Sequence, residues 1–270
     1  MLKQICAEWY KAVRRPYFRN MMLLSVLCGV GVSAILFWLK DASAVPEQIN
    51  LPFALLSMMF FMVTGLYLVV LGADLVFSDQ YKHNTLKNEV SYGLPRWGIY
   101  LSRWVIALVA MLLMLAALLG SYALVSAVLL GIPSDAVAME QMDMTSAQMM
   151  GYAFLVLGSY LLASLPLWMG GLSVILCLMF LIQSNTFASI AYIAVVAVLP
   201  GVLEKLGQYV NPLFTQLYHL TLSYPFDLIN HAGASVQSGG QLALCWAIGL
   251  GWTLVSTAVG LMVFQRLEVK

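Results

Sequence analysis

The sequence contains few charged residues. It has 13 lysines and arginines and 12 aspartates and glutamates among 270 residues, so that 9% are charged and 62% are hydrophobic. A soluble globular chain is about a quarter charged. The composition therefore excludes a disordered chain, a disulfide-rich secreted domain and an ordinary soluble enzyme. The net charge of +1 gives no support to nucleic-acid binding, which needs a basic face.

Motifs that carry catalytic or metal chemistry are also missing from the sequence. Its four cysteines are scattered and form no CxxC pair, which is typical of small apolar core residues. The histidines His83, His219 and His231 lie in no HExxH motif, and neither GxxxxGK[ST] nor GxSxG occurs. We therefore expect a chain that is not an enzyme and that holds no metal or cofactor of its own.

Long charge-free runs predict membrane-spanning helices. A span needs about 20 mostly apolar residues, and a central charge is costly. Four such runs each hold one span, and a fifth, over 144–203, is long enough for two spans and a connection. We place the turn of that run at the polar residues 183–186, so that the helix containing Pro166 is long and kinked. The prediction is an all-α membrane protein with one transmembrane domain over 1–270 and six spans, at about 21–39, 51–75, 99–131, 149–182, 187–203 and 241–264.

The basic residues predict the orientation of the spans. Six spans put both termini on one side, and 11 of the 13 basic residues then fall on that side, with only Lys40 and Lys205 opposite. Because positively charged loops stay inside, the rich side is predicted to be cytoplasmic.

Three segments outside the spans have helical patterns. Residues 2–19 are amphipathic and predict a helix at the membrane surface, with a bend at Arg15-Pro16 before the first span. Residues 79–92 predict a short cytoplasmic helix that Ser78 or Asp79 could cap. That helix suits either a groove in a partner protein or a lysine-rich contact with lipid. Residues 204–240 predict short amphipathic or re-entrant pieces outside, either as a gate or as an interfacial rim.

Small residues recur every fourth position in two spans, as Ser25, Gly29 and Ser33 in the first and as Gly249, Thr253 and Thr257 in the last. Such stripes allow close helix packing, either within one chain or between two copies. Acidic residues are rare in the spans, with Asp74 alone at the end of the second. We expect it to face water or to pair with a basic loop residue, which lowers the prospect of ion-coupled transport.

Residues 73–107 resemble the membrane subunit of type-2 ABC exporters, the ABC-2 permease family. The family pattern is matched by Thr85-Leu86-Lys87, by Ser91 and by Leu101-Ser102. Asn84 stands where glycine is frequent, and Arg103 replaces a common lysine. The match is nearest to the permeases of bacteriocin immunity, bacitracin resistance and peptide export.

The resemblance implies a type-2 ABC exporter fold in a bacterial cytoplasmic membrane. It implies a second copy or a similar permease as partner, and separate ATPase subunits that hold ATP and Mg. The helix over 79–92 would be the coupling helix seated in the ATPase, and the cargo would be a hydrophobic or amphipathic peptide, antibiotic or lipid. Tyr81, Leu86 and Val90 would insert into the ATPase, and the other contact residues would be Asp79, Lys82, His83, Thr85, Lys87 and Glu89.

Two other functions remain open on the sequence. A stand-alone secondary transporter would move its substrate on an ion gradient without an ATPase. A non-transporting immunity or sensor subunit would bind a protein through the 79–92 helix and move no substrate.

Overall fold

The computed structural model of the protein describes residues 2–43, 46–83, 95–231, 233 and 235–266. Within these ranges the chain is helical and contains no strand. The helices are α1 (Leu2–Arg14), α2 (Pro16–Ala42), α3 (Leu51–Ser57), α4 (Met59–Met62), α5 (Gly65–His83), α6 (Arg96–Leu130), α7 (Asp135–Met142), α8 (Ser146–Ile182), α9 (Asn185–Ile193), α10 (Leu199–Tyr209), α11 (Pro212–His219), α12 (Tyr224–His231) and α13 (Gly239–Arg266).

The chain bends between α1 and α2 at the predicted proline. Arg15 is extended, with φ −70° and ψ 132°, and Pro16 is the first residue of α2. A residue before proline avoids the helical conformation, and proline suits a first helical position. The surface helix therefore ends at Arg14, and residues 16–19 belong to the first span rather than to one helix over 2–19. Trp9 and Phe18 pack edge to face across the bend, with ring centroids 6.1 Å apart.

The second span is broken, which corrects the prediction of one continuous helix over 51–75. Leu51–Met62 and Gly65–Phe77 meet at an angle of 60°. The backbone N–H of Leu51 donates to the carbonyl of Gly131 at 3.0 Å, so the pair begins at the end of α6. Arg15 donates to the carbonyl of Leu75, so the pair finishes beside the start of α2. Since its two ends lie at opposite ends of the bundle, the pair crosses the bundle once.

Helix α8 is the centre of the bundle. In its most apolar 18-residue window 67% of the residues are buried, against 17–33% in the other long helices. The outer helices instead expose large apolar side chains, including Leu124 at 71% and Val128 at 84%. A helix that is apolar all round and exposed on its outer face is suited to lipid. The chain is therefore a multi-pass membrane protein with five helices long enough to span, or six when the bent pair counts as one.

The fifth span extends further than predicted. Gln183 adopts a left-handed conformation with φ 57°, which ends α8 at the predicted turn. Helix α9 then passes through a π-helical stretch, Ala194–Val198, into α10, and the helical run ends at Tyr209 instead of 203. Glu204 and Lys205 do not stop the helix because both are exposed on its surface.

Helices α11 and α12 form a re-entrant hairpin. Its turn lies level with the middle of α8 and α13, since Trp252 Nε1 donates to the carbonyl of Leu220 at 2.8 Å and Leu222 contacts Gly170. Helix α12 then returns along α8, where the hydroxyl of Tyr160 donates to the carbonyl of Ile229 at 3.1 Å. The predicted segment 204–240 thus begins in α10 and includes a hairpin that reaches into the bundle.

The two ends of the bundle differ in charge. One end holds α1 and the last turn of α13, with Arg15, Arg96 and Arg266, and is called here the basic end. The other end holds the short helix α7, with Glu47, Asp135, Glu140 and Asp143 on or beside it, and is called the acidic end.

Candidate functional site

Four aromatic rings meet at the basic end. Phe180, near the end of α8, contacts Phe77 of α5 edge to face at 4.8 Å between ring centroids. It stacks on Tyr100 of α6 at 5.1 Å and touches Phe264 of α13 at 4.6 Å. All four side chains are at most 1% exposed. This aromatic cluster joins the helix that enters the predicted coupling segment, α5, and the helix that leaves it, α6, to α8 and α13.

Two arginines of α6 also connect the helices of this cluster, through contacts with α5 and α13. Arg96, at the start of α6, donates from Nη1 to the carbonyls of Phe264 and Gln265 at 2.7 and 2.6 Å. A cation there also complements the partial negative charge at the C-terminus of α13. Arg103 lies over the ring of Phe77, 5.3 Å from its centroid, and is 1% exposed. Arg103, one of the eleven basic residues of the predicted cytoplasmic side, is therefore buried in the bundle.

Asp74, predicted to face water or to pair with a basic loop residue, has a neutral partner among the described residues. Its Oδ1 accepts a hydrogen bond from Asn185 Nδ2 at 2.8 Å, and the side chain of Tyr17 lies beside the carboxylate. The three residues come from α5, α9 and α2, so this carboxylate connects three helices at the basic end.

The predicted coupling residues fall in two groups. Asp79, Tyr81, Lys82 and His83 lie in the last turns of α5, whose backbone is helical without interruption from Gly65. The expected helix start at Ser78 or Asp79 is therefore wrong, because the second span simply continues past them. The others lie outside the described residues: Thr85, Leu86, Lys87, Glu89 and Val90.

Side chains from neighbouring helices hydrogen-bond the carbonyls at the break in the second span. Trp168 Nε1 donates to the carbonyl of Met62 at 2.9 Å, and the hydroxyl of Tyr192 donates to that of Leu66 at 2.9 Å. Gly65 leaves room for the indole, since a Cβ atom there would lie 2.2 Å from Trp168 Nε1. A break inside a membrane is tolerated only when such partners satisfy the backbone. One weak signal of this break is the pair Thr64-Gly65.

A second polar group lies between α2, α3 and α6. The hydroxyl of Tyr122 lies 2.7 Å from that of Ser57 and donates to the carbonyl of Ala54. Ser33 donates to the carbonyl of Tyr122, and Ser126 donates to Ser33 at 3.1 Å. Every one of these hydroxyls has a protein partner, so the group functions as packing between helices.

Both small-residue stripes pack inside the chain. A Cβ atom on Gly29 would lie 2.5 Å from the carbonyl oxygen of Leu118 in α6. Ser25 and Ser33 are buried on the same side of α2. A Cβ atom on Gly249 would lie 2.4 Å from the backbone of Pro166 in α8. In the same stripe, the hydroxyl of Thr253 donates to the carbonyl of Gly249 at 2.8 Å, and Thr257 lies close to Tyr100 of α6.

Among the described residues no three His, Cys, Asp or Glu side chains converge on a possible metal position. Comparison of the sequence with models of known protein families and with curated proteins gives no match.

Proposed function

We propose that the chain is the membrane subunit of an ATP-driven exporter of the ABC-2 permease type. In this proposal the basic end faces the cytoplasm, and a hydrophobic or amphipathic cargo leaves across the cytoplasmic membrane. The observation that carries the proposal is the junction at Phe180. The helices on either side of the predicted coupling segment, α5 and α6, both contact that ring, together with α13.

The junction supports a mechanical role for residues 79–92. A partner ATPase would hold Tyr81, Leu86 and Val90 in a groove, with the polar residues Asp79, Lys82, His83, Thr85, Lys87 and Glu89 around them. Movement of the groove would displace the ends of α5 and α6. Because packed cores shift between discrete arrangements rather than deform continuously, that displacement would pass through the aromatic cluster to α8 and α13.

The re-entrant hairpin supports a route for release at the acidic end. Its turn contacts Trp252 of α13 and Gly170 of α8, the same two helices that meet at the aromatic cluster. A shift of α8 against α13 would therefore move the hairpin. The cargo path would run between this chain and a second permease, either a copy of itself or a similar chain.

Ion-coupled transport is the second candidate, because secondary transporters bind ions at broken helices. The break at 63–64 has this form, but the carbonyls of Met62 and Leu66 accept hydrogen bonds from Trp168 and Tyr192. Asp74 likewise bonds Asn185 instead of standing open. These contacts favour a structural role for the break, and the exporter is the better supported function.

Purification from the native host in a mild detergent tests the proposal. We expect an ATPase to accompany the chain, and proteoliposomes of the complex to transport only with ATP. Transport by the chain alone on a sodium or proton gradient would favour the secondary transporter. A bound protein without flux under either condition would favour an immunity or sensor subunit.

A further inference from the structure

An open cavity of about 430 Å³ lies at the acidic end, between the start of the broken span and the start of α8. Its inner wall is apolar and comes from three helices. Phe53 and Leu56 belong to α3, Val137 to α7 and Met149 to α8. The volume falls in the range of pockets that hold small organic ligands, about 300–1,000 Å³.

Specific hydrogen bonds shape the wall of this cavity. Asn50, 3% exposed, caps α3 by accepting a hydrogen bond from the N–H of Phe53 at 3.1 Å, and it donates to Gln141 Oε1 at 3.2 Å. Gln141 in turn donates to the carbonyl of Glu47 at 3.3 Å. These bonds hold α3, α7 and the turn before α3 together, so the cavity is formed before any ligand enters.

Two carboxylates line the cavity. Glu47 comes from the turn before α3 and Glu140 from α7, and both side chains are exposed. The ion pairs among the described residues include neither of them. The nearby cation Lys40 donates instead to the carbonyl of Leu130 at 3.1 Å. A cavity lined by apolar side chains and by two carboxylates is complementary to a molecule with a hydrophobic body and a positive charge.

We propose that this cavity binds an amphipathic organic cation, with its apolar part against Phe53, Leu56 and Met149 and its charge between Glu47 and Glu140. The charge at this cavity is opposite in sign to that of the basic end. The cavity therefore discriminates between ligands by their charge as well as by their size. The identification of this ligand as the cargo rests on the proposed export function, whereas its binding here does not.

Calorimetry with two ions of matched shape tests the site. Tetraphenylphosphonium and tetraphenylborate are nearly equal in size and opposite in charge, and both can be titrated into the purified chain in an uncharged maltoside detergent. We expect saturable binding of the cation alone. Replacing both carboxylates, E47Q with E140Q, removes two partly screened charge contacts and should weaken cation binding about tenfold.

Two further variants separate the cavity from the general field of the acidic end. Asp41→Asn removes a charge from the end of α2 without lining the cavity and should change the affinity by less than about twofold. Val137→Trp fills the cavity without changing the charge and should abolish saturable binding. Displacement of the cation by dihexanoylphosphatidylethanolamine would identify a lipid headgroup as the ligand, and resistance to it would identify a free cation.

Three results would contradict the proposal that this cavity binds a cation. They are equal binding of the cation and the anion, unchanged affinity after the double glutamine replacement, and loss of affinity in Asp41→Asn as large as in the double variant. None of them depends on an ATPase, so the site can fail while the exporter proposal stands, and the exporter can fail while the site stands.

Discussion

Gly249 determines how closely α8 and α13 approach. A Cβ atom on it would lie 2.4 Å from both the carbonyl carbon and the carbonyl oxygen of Pro166, and backbone atoms cannot turn aside as a side chain can. We therefore expect Gly249→Ala to lower the melting temperature in detergent, at an overpacking cost of about 1–3 kcal/mol. Gly251→Ala is the matched control, because no atom lies within 4 Å of its added methyl group. Equal melting temperatures for the two variants would contradict this packing.

Trp168 stabilises the break in the second span through one hydrogen bond. Trp168→Phe keeps most of the buried ring but leaves the carbonyl of Met62 without its N–H donor. An unsatisfied buried carbonyl costs about 1–3 kcal/mol, so the variant should unfold at a lower temperature. Trp246→Phe, at a position 39% exposed, serves as the control and should unfold like the native chain. A Trp168→Phe protein as stable as this control would show that the bond contributes nothing.

Ser146 makes the acidic end sensitive to pH. Its hydroxyl and its N–H both donate to Asp135 Oδ1, at 2.7 and 2.9 Å, and these bonds lower the pKa of Asp135 below its ordinary value of 3.8. A lowered pKa stabilises the fold above the ordinary value, and that stabilisation is lost as the pH falls through the lowered value. Ser146→Ala should therefore melt below the native protein at about pH 7, with a smaller difference at about pH 2. The same difference at both pH values would refute the role of these bonds.

Residue patterns predict some of these sites and miss others for a physical reason. Small-residue spacing singled out Gly249, but its partner Pro166 is 83 residues away in sequence, and only the folded chain brings them together. The burial of Arg103 beside Phe77 is not predictable from the sequence, because hydropathy does not distinguish a lipid-facing position from a buried one. The sequence shows the chemical character of each residue, but it does not show which distant residue that side chain contacts in the folded chain.

Helix ends that depend on local sequence are predictable, whereas helix ends that depend on a distant residue are not. The bend at Arg15-Pro16 and the turn at Gln183-Ser184 were predicted, because proline and a run of polar residues act locally. The break at 63–64 was missed, since the indole of Trp168 from another helix stabilises it. Helix α5 continues past Asp79 because a possible cap residue does not start a helix inside an existing one.

The bent pair α3–α5 should cross the membrane, not turn back within it. After replacement of the four native cysteines, Gln48→Cys and Gln80→Cys place one thiol near each end of the pair. We expect a membrane-impermeant maleimide to label Cys at 48 and at 80 from opposite sides of sealed vesicles, because Leu51 bonds Gly131 and Leu75 bonds Arg15. Labelling of both positions from the same side would indicate a re-entrant loop and would reverse the orientation of every later span.

Across the whole molecule, the two ends of the helical bundle differ both in charge and in the kind of site that they hold. The basic end holds the aromatic cluster, with the end of α5 and the start of α6 that flank the predicted coupling segment, while the acidic end holds the cavity with Glu47 and Glu140. Central helix α8 links them, with Phe180 near one end and Met149 near the other. An exporter driven from one side of a membrane that releases its ligand on the other side needs a rigid element such as α8 between the two sites.

We propose that residues 79–92 receive mechanical work from an ATPase. A matched pair of variants at Leu86 tests this proposal most directly. Leu86→Asp puts a charge on the side predicted to enter the ATPase groove, whereas Leu86→Met keeps that side apolar. Both variants would be expressed in the native host, purified in a mild detergent and assayed for bound ATPase and for ATP-driven transport. We predict that Leu86→Met retains both activities and that Leu86→Asp inserts normally but loses the bound ATPase and the transport. Native levels of ATPase binding and transport in Leu86→Asp would contradict the account.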